Sequence, residues 1–225
     1  IIMSILILAS VRFLAKTERN KGTKPLKENQ QVGMLEKSWK RSEMLRSWVF
    51  WAAVPGLMTS PMITTTLFFH QVHLVEIKSW DLSTYVLFIP AYSAATLFSL
   101  YLIGYLVDKL STKIILPVFL IPLISGLLLL SIATSYLELL FIFILLGLSA
   151  GAYTVVYGTF FPEFFGSLYL GSVRTVGLTI MVFSSAIGPV LSGYFIDLGY
   201  LIDHQFKFFA AFSVFASLLF LTINL

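Results

Sequence analysis

The 225 residues have a mean hydropathy of +0.90, with 58% hydrophobic and only 12% charged side chains and a formal net charge of +4. A water-soluble domain runs nearer half apolar and a quarter charged, so a single soluble core is excluded and the bilayer is the natural solvent. The absence of cysteine excludes disulfides, thiolate metal sites and a cysteine nucleophile, and the pI near 9.2 gives no reason to invoke nucleic acid, because ten of the fifteen Lys and Arg crowd between Arg12 and Arg46.

Residues 1–14 are an apolar stretch ending near Arg12 and Lys16. They are too short to span a bilayer and lack the basic opening of a signal peptide, so they are expected to be the end of a preceding transmembrane helix. Residues 15–46 read as a basic cytoplasmic linker, rich in Lys, Glu, Gln and Asn. Within it, Leu35, Trp39, Ser42 and Leu45 put a weak apolar stripe on a basic helix. That helix either lies on the membrane surface or extends the next span.

Six apolar segments follow, at 47–74, 82–107, 113–133, 136–161, 174–196 and 206–225. Each is long enough to cross the hydrocarbon core as a helix, which needs about 20 residues. Backbone groups in lipid must be bonded internally, so the fold class is all-α integral membrane, with residues 47–225 a six-helix bundle. Pro55, Pro61, Pro90, Pro117, Pro122 and Pro189 fall within or near the ends of these segments, where membrane helices tolerate kinks. If the linker is cytoplasmic, Lys109, Lys113 and Arg174 also fall inside and only Lys78 and Lys207 outside. The positive-inside bias then places both the linker and the C-terminus in the cytoplasm.

Charge interrupts the apolar pattern most sharply at GYLVDKLSTK, residues 104–113. Here Gly104 allows close helix approach, Asp108 can offer its carboxylate to a helix N-terminus, and Lys109 and Lys113 stay at the basic interface. An ordinary charged turn between two hydrophobic helices is the plainer reading of the same residues.

The pattern of Gly104, Leu106, Asp108, Lys109 and Lys113 resembles the short cytoplasmic signature of the major facilitator superfamily, which follows the second helix of each six-helix half. Ser111 stands where that signature has its second glycine. Phe161-Pro162-Glu163, the run from Gly171 to Arg174, then Gly188-Pro189, Gly193 and Asp197 are similar to the loop and fifth helix of such a half. Together with Phe68 to Gln71, they are closest in pattern to bacterial monocarboxylate-porter-like members. The resemblance implies the C-terminal half of a twelve-helix secondary transporter in a bacterial inner membrane. It would move a small solute, an organic anion such as a monocarboxylate being one class, by alternating access. The partners implied are the solute, the lipid bilayer and the N-terminal six-helix half of the same transporter, with no cofactor and no nucleic acid. It also implies a conformational latch made by Gly104, Asp108, Lys109, Lys113 and Arg174, with Gly188, Pro189 and Gly193 letting the fifth helix bend or pack closely.

Charges inside membrane spans usually mark a solute or proton path, but 82–107 and 175–196 carry none and 113–133 only Lys113 at its first position. The candidate lining residues are therefore polar or aromatic: Thr64, Thr65, Thr66, Phe69, His70, Gln71, Tyr92, Ser93, Tyr153, Tyr157, Ser184 and Ser185. Each has a structural alternative, since Ser and Thr in membrane helices commonly bond helix backbone and Tyr sits at interfaces. His70 and His73 share a helix face, but neither a third nearby histidine nor a thiolate joins them, and no metal site is assigned. Gly147-Leu-Ser149-Ala-Gly151 has the spacing of a hydrolase nucleophile motif. Inside an apolar segment, it reads instead as a small-residue packing face. An intramembrane hydrolase and a non-transporting receptor or scaffold remain the alternatives to a transporter, which is read as catalysing no covalent chemistry.

Overall fold

The computed structural model describes residues 31–223; the tail 1–14, the first part of the linker (15–30) and the last two residues lie outside the described residues. Every regular element described is helical. A single 3-10 turn, Met34–Glu36, precedes the short helix α1 (Arg41–Met44). The basic stretch 34–46 is thus not one continuous amphipathic helix: Leu35 and Glu36 take positive φ, and extended backbone at Lys37 and Lys40 separates the turn from α1.

The membrane-type helices follow. α2 (Trp48–Phe69) is succeeded by α3 (Gln71–Ile77), the break falling at His70. α4 (Leu82–Val86) leads into α5 (Ile89–Leu110), and α6 (Thr112–Ile115) into α7 (Ile121–Ile132). α8 (Tyr136–Phe165), α9 (Leu170–Asp197) and α10 (Ile202–Ile223) complete the order. Five helical runs, α2, Leu82–Leu110, α8, α9 and α10, are long and apolar enough to cross a membrane, which fits an integral membrane protein.

The segment expected at 113–133 differs: it is two helices rather than one. Pro117 and Pro122 have no N–H, so the backbone between them tightens to three-residue bonds, Val118 N to Ile115 O and Ile121 N to Val118 O, both 3.0 Å. Boundaries shift elsewhere too. α8 runs through Pro162 to Phe165 rather than stopping at 161, and α9 begins at Leu170 rather than 174. Ser135 starts α8 with a capping box: its hydroxyl accepts the Glu138 N–H, and Glu138 accepts the Ser135 N–H at 2.9 Å. Gly166, at φ +79, ends α8.

Packing follows a definite order. α8 lies along α5 on one side and α7 on the other, while α2 lies along α9 and α10, and α7 meets α10. α2 and α8 touch at the centre. α5 and α9 flank the bundle and leave large apolar side chains exposed, Leu97, Phe98 and Tyr101 on the first and Val182, Phe183 and Val190 on the second. Glycines permit the tight seams. A side chain at Gly147 would stand 2.3 Å from the Tyr92 carbonyl oxygen, and one at Gly151 2.4 Å from that of Thr96.

Candidate functional site

The charged turn after α5 is built from two helices. Ser111 closes α5 with φ +74 and ψ 155, a conformation that glycine adopts freely and other residues rarely do. Thr112, fully buried, then opens α6. Its N–H donates to Glu163 Oε2 at 2.9 Å and its hydroxyl to that of Thr159 at 2.8 Å, both on α8. Glu163 therefore does for α6 what the sequence reading expects of Asp108 at a helix N-terminus. Asp108 is exposed, and among the described residues no hydrogen bond or ion pair joins it to Arg174. Gly104 faces open space, with no neighbouring helix against it among the described residues. The Lys109 ammonium sits 4.5 Å from the Tyr105 ring centre, and that of Lys113 5.7 Å from Phe164. Arg174, exposed near the start of α9, lays its guanidinium 5.7 Å over Tyr157 of α8.

Toward the bundle centre, the seam between α2, α8 and α9 brings together Thr66, His70, Tyr153 and Tyr157. Pro61 cannot donate to the Leu57 carbonyl four residues earlier, and the Tyr153 hydroxyl of α8 donates to that carbonyl instead, at 3.1 Å. Tyr153 stacks at a tilt on Tyr157, ring centres 5.8 Å apart, and Tyr157 meets Phe161 edge-on at 5.4 Å. Gly188 of α9 is pressed against α2: a side chain there would lie 2.5 Å from both the Met62 carbonyl oxygen and Thr66 Oγ1. Just beyond, His70 Nε2 is 3.0 Å from the Pro189 carbonyl oxygen, and Gly193 leaves room for the imidazole. A carbonyl only accepts, so Nε2 carries the proton. The break between α2 and α3 is thereby tied to the proline of α9.

The hydroxyl candidates turn inward. Thr65 bonds the Pro61 carbonyl, Thr66 that of Met62, Ser93 that of Ile89, Ser184 that of Met181 and Ser185 that of Val182. Each keeps lone pairs for an outside donor, but its proton is engaged with its own helix. Thr64 and Tyr92 line a small void with Leu67 and Phe143, and Tyr92 packs edge-on against Phe68. Phe69 is exposed at the end of α2, and Gln71 is half-buried at the start of α3. Ser149 lies mid-helix in α8, not at a strand–helix turn, and its buried hydroxyl has no partner. Among the described residues no three His, Asp or Glu gather as metal ligands.

At the opposite end of the bundle the loops are stapled together. Lys78, its side chain 8% exposed, pairs with Asp203 at 3.0 Å. Trp80 Nε1 donates to the Thr134 carbonyl, and the Asp81 N–H to the Tyr136 hydroxyl. Asp81 caps α4, and the Thr84 N–H holds its carboxyl below the ordinary carboxylate value. Sequence reasoning missed this staple, and it missed the roles of Thr112, Thr159 and Glu163. For Glu163 a signal existed: it is the only acid between Glu138 and Asp197. No protein-family model matches the sequence, and no curated protein matches it.

Proposed function

We propose that this chain is one six-helix half of a secondary transporter of the major facilitator type, carrying a small solute across a membrane by alternating access. One observation carries the reading. If α2, α5 and α7 are exchanged for α8, α9 and α10 in that order, the main packing partnerships map onto themselves. The α5–α8 seam becomes α9–α2, α7–α8 becomes α10–α2, and the α7–α10 and α2–α8 contacts are unchanged. Nested three-helix repeats of this kind are the architecture of facilitator halves. In this reading 112–132 is the third crossing element despite its proline break.

The exposed apolar faces of α5 and α9 are then the surface covered by the other half, and the turn at 104–113 is the latch. No ion pair joins Asp108 to Arg174 among the described residues, so in this reading the latch closes in another state of the transport cycle. The basic end, including the linker and the C-terminus, faces the cytoplasm, and a bacterial inner membrane is the setting the resemblance implies. Residues 82–107 and 175–196 carry no charge, so an organic anion such as a monocarboxylate would draw its cationic anchor from the N-terminal half.

Uptake into proteoliposomes containing the full-length protein tests the proposal. A folded protein is expected to give solute flux that falls at least about tenfold in Asp108→Asn, the loss of one charge-assisted contact. No flux across a broad panel of small acids and neutral solutes would favour the scaffold reading. Wild-type flux in Asp108→Asn would remove the latch.

A further inference from the structure

The segment 31–47 is fastened to the bundle as a strap. The Trp39 N–H donates to the Phe165 carbonyl at 2.9 Å, the Ser167 N–H donates to the Gln31 carbonyl at 2.9 Å, and Trp39 meets Phe165 edge-on. Between this strap and the ends of α2 and α10 lies an open groove of about 600 Å³. Its walls are apolar, with Leu35, Trp39, Trp48 and Ile223, and its rim carries Arg46 and Glu43. Glu43 is already engaged, accepting from Lys37 Nζ at 2.7 Å and the Lys40 N–H at 2.8 Å. Arg46 has no carboxylate partner among the described residues. Trp48 and Trp51, both more than half exposed, mark the level of a membrane–water interface.

We propose that this groove seats an anionic phospholipid, its phosphate on Arg46 and an acyl chain along Leu35, Trp48 and Ile223. Charge complementarity selects the occupant. The strap sets Lys37, Lys40, Arg41 and Arg46 against only Glu36 and Glu43, and a basic juxtamembrane segment attracts anionic headgroups. The inference rests on the membrane reading of the bundle and on this end lying at the lipid surface; it does not need transport.

Tryptophan quenching of the full chain in phosphatidylcholine vesicles tests it, with brominated phosphatidylglycerol or brominated phosphatidylcholine added in equal amount. The wild type is expected to be quenched preferentially by the anionic lipid. Arg46→Gln should lower that preference about fivefold, and Arg46→Lys should keep most of it. Leu35→Glu, at a side chain 85% exposed and so outside the packed core, should lower it as well. Equal quenching by the two lipids in the wild type overturns the proposal. So does an Arg41→Gln effect as large as that of Arg46→Gln, because the attraction would then be diffuse surface charge. A protein that shows the lipid preference yet moves no solute overturns only the transport reading, and one that transports without the preference overturns only this one.

Discussion

α2 and α8 stand at the centre of the bundle and α5 and α9 at its flanks, and all four are apolar along their length. Over half of the residues in the α2 and α8 spans are buried, against 11% in the span containing α5 and 22% in α9. Hydrophobicity does not make that choice, because a lipid tail is as apolar as another helix. The central helices differ in what they offer a neighbour. α8 presents Gly147 and Gly151 to the backbone of α5 and the Tyr153 hydroxyl to α2, and α2 presents the carbonyl that Pro61 leaves free. The outward faces of α5 and α9 offer mostly large apolar side chains and meet no such complementary groups among the described residues.

Glycine substitutions break this contrast most severely. Gly151→Leu is expected to cost about 3 kcal/mol or more, since the added atoms meet the Thr96 carbonyl and Ser99 and would part α5 from α8. Gly104→Leu, on the open side of α5, should leave the melting temperature of the bundle in detergent unchanged. If the proposed transport function holds, the same change in the full-length protein should depress flux, because the proposal has the other half cover that face. Equal destabilisation by the two substitutions would mean that α5 has no free face.

A smaller effect comes from the centre. Tyr153→Phe removes the donor that replaces Pro61 at the Leu57 carbonyl and is expected to cost about 1–2 kcal/mol, the penalty for leaving a buried acceptor unpaired. Pro61→Ala in the same chain supplies an N–H at position 61 and should recover much of the loss. Thermal unfolding of the wild type, both single variants and the double variant gives the coupling energy. Strict additivity would sever the link between the proline and the tyrosine.

These pairs also show how far the sequence could be read. Apolar runs of about 20 residues mark the spans, since length and composition alone decide what crosses lipid. Five of the six expected spans are legible in this way, but the break at Pro117 and Pro122 needs two prolines five residues apart to be weighed against a continuous apolar run. Gly147 and Gly151 read correctly as a packing face because their four-residue spacing survives in any helix. The Tyr153–Leu57 and His70–Pro189 contacts join residues far apart in the chain, and no local pattern foretells them. The turn at 104–113 lies between these cases. Its charges locate the membrane surface, but the carboxylate that caps it, Glu163, comes from another helix.

Ser111 offers a gain rather than a loss. At φ +74 and ψ 155 a side chain is strained, and Ser111→Gly is expected to raise stability by about 1 kcal/mol, read as a higher melting temperature. The residue caps α5, just beyond Leu110, so the gain should appear without any change at the α2–α8 centre. An unchanged or lower melting temperature would mean that Ser111 contributes something its backbone conformation does not reveal.

The strap should respond least, and to pH. The Lys37 ammonium and the Lys40 N–H bonded to Glu43 lower its carboxyl below the ordinary value of 4.5. A carboxylate whose folded pKa is depressed adds stability above its unfolded pKa and loses it as the pH falls through the folded one. The strap is therefore expected to hold at neutral pH and to loosen below pH 4.5. Because the Glu43 side chain is partly exposed, at the rim of the groove, the effect should be slight and weaken further with salt. Trp39 packs on Phe165 at the point of attachment, so its fluorescence reports the release. In Glu43→Gln the acid-dependent step should vanish, and the emission should sit nearer the released value at every pH. If the step persists unchanged, a carboxylate other than Glu43 governs the shape of the strap.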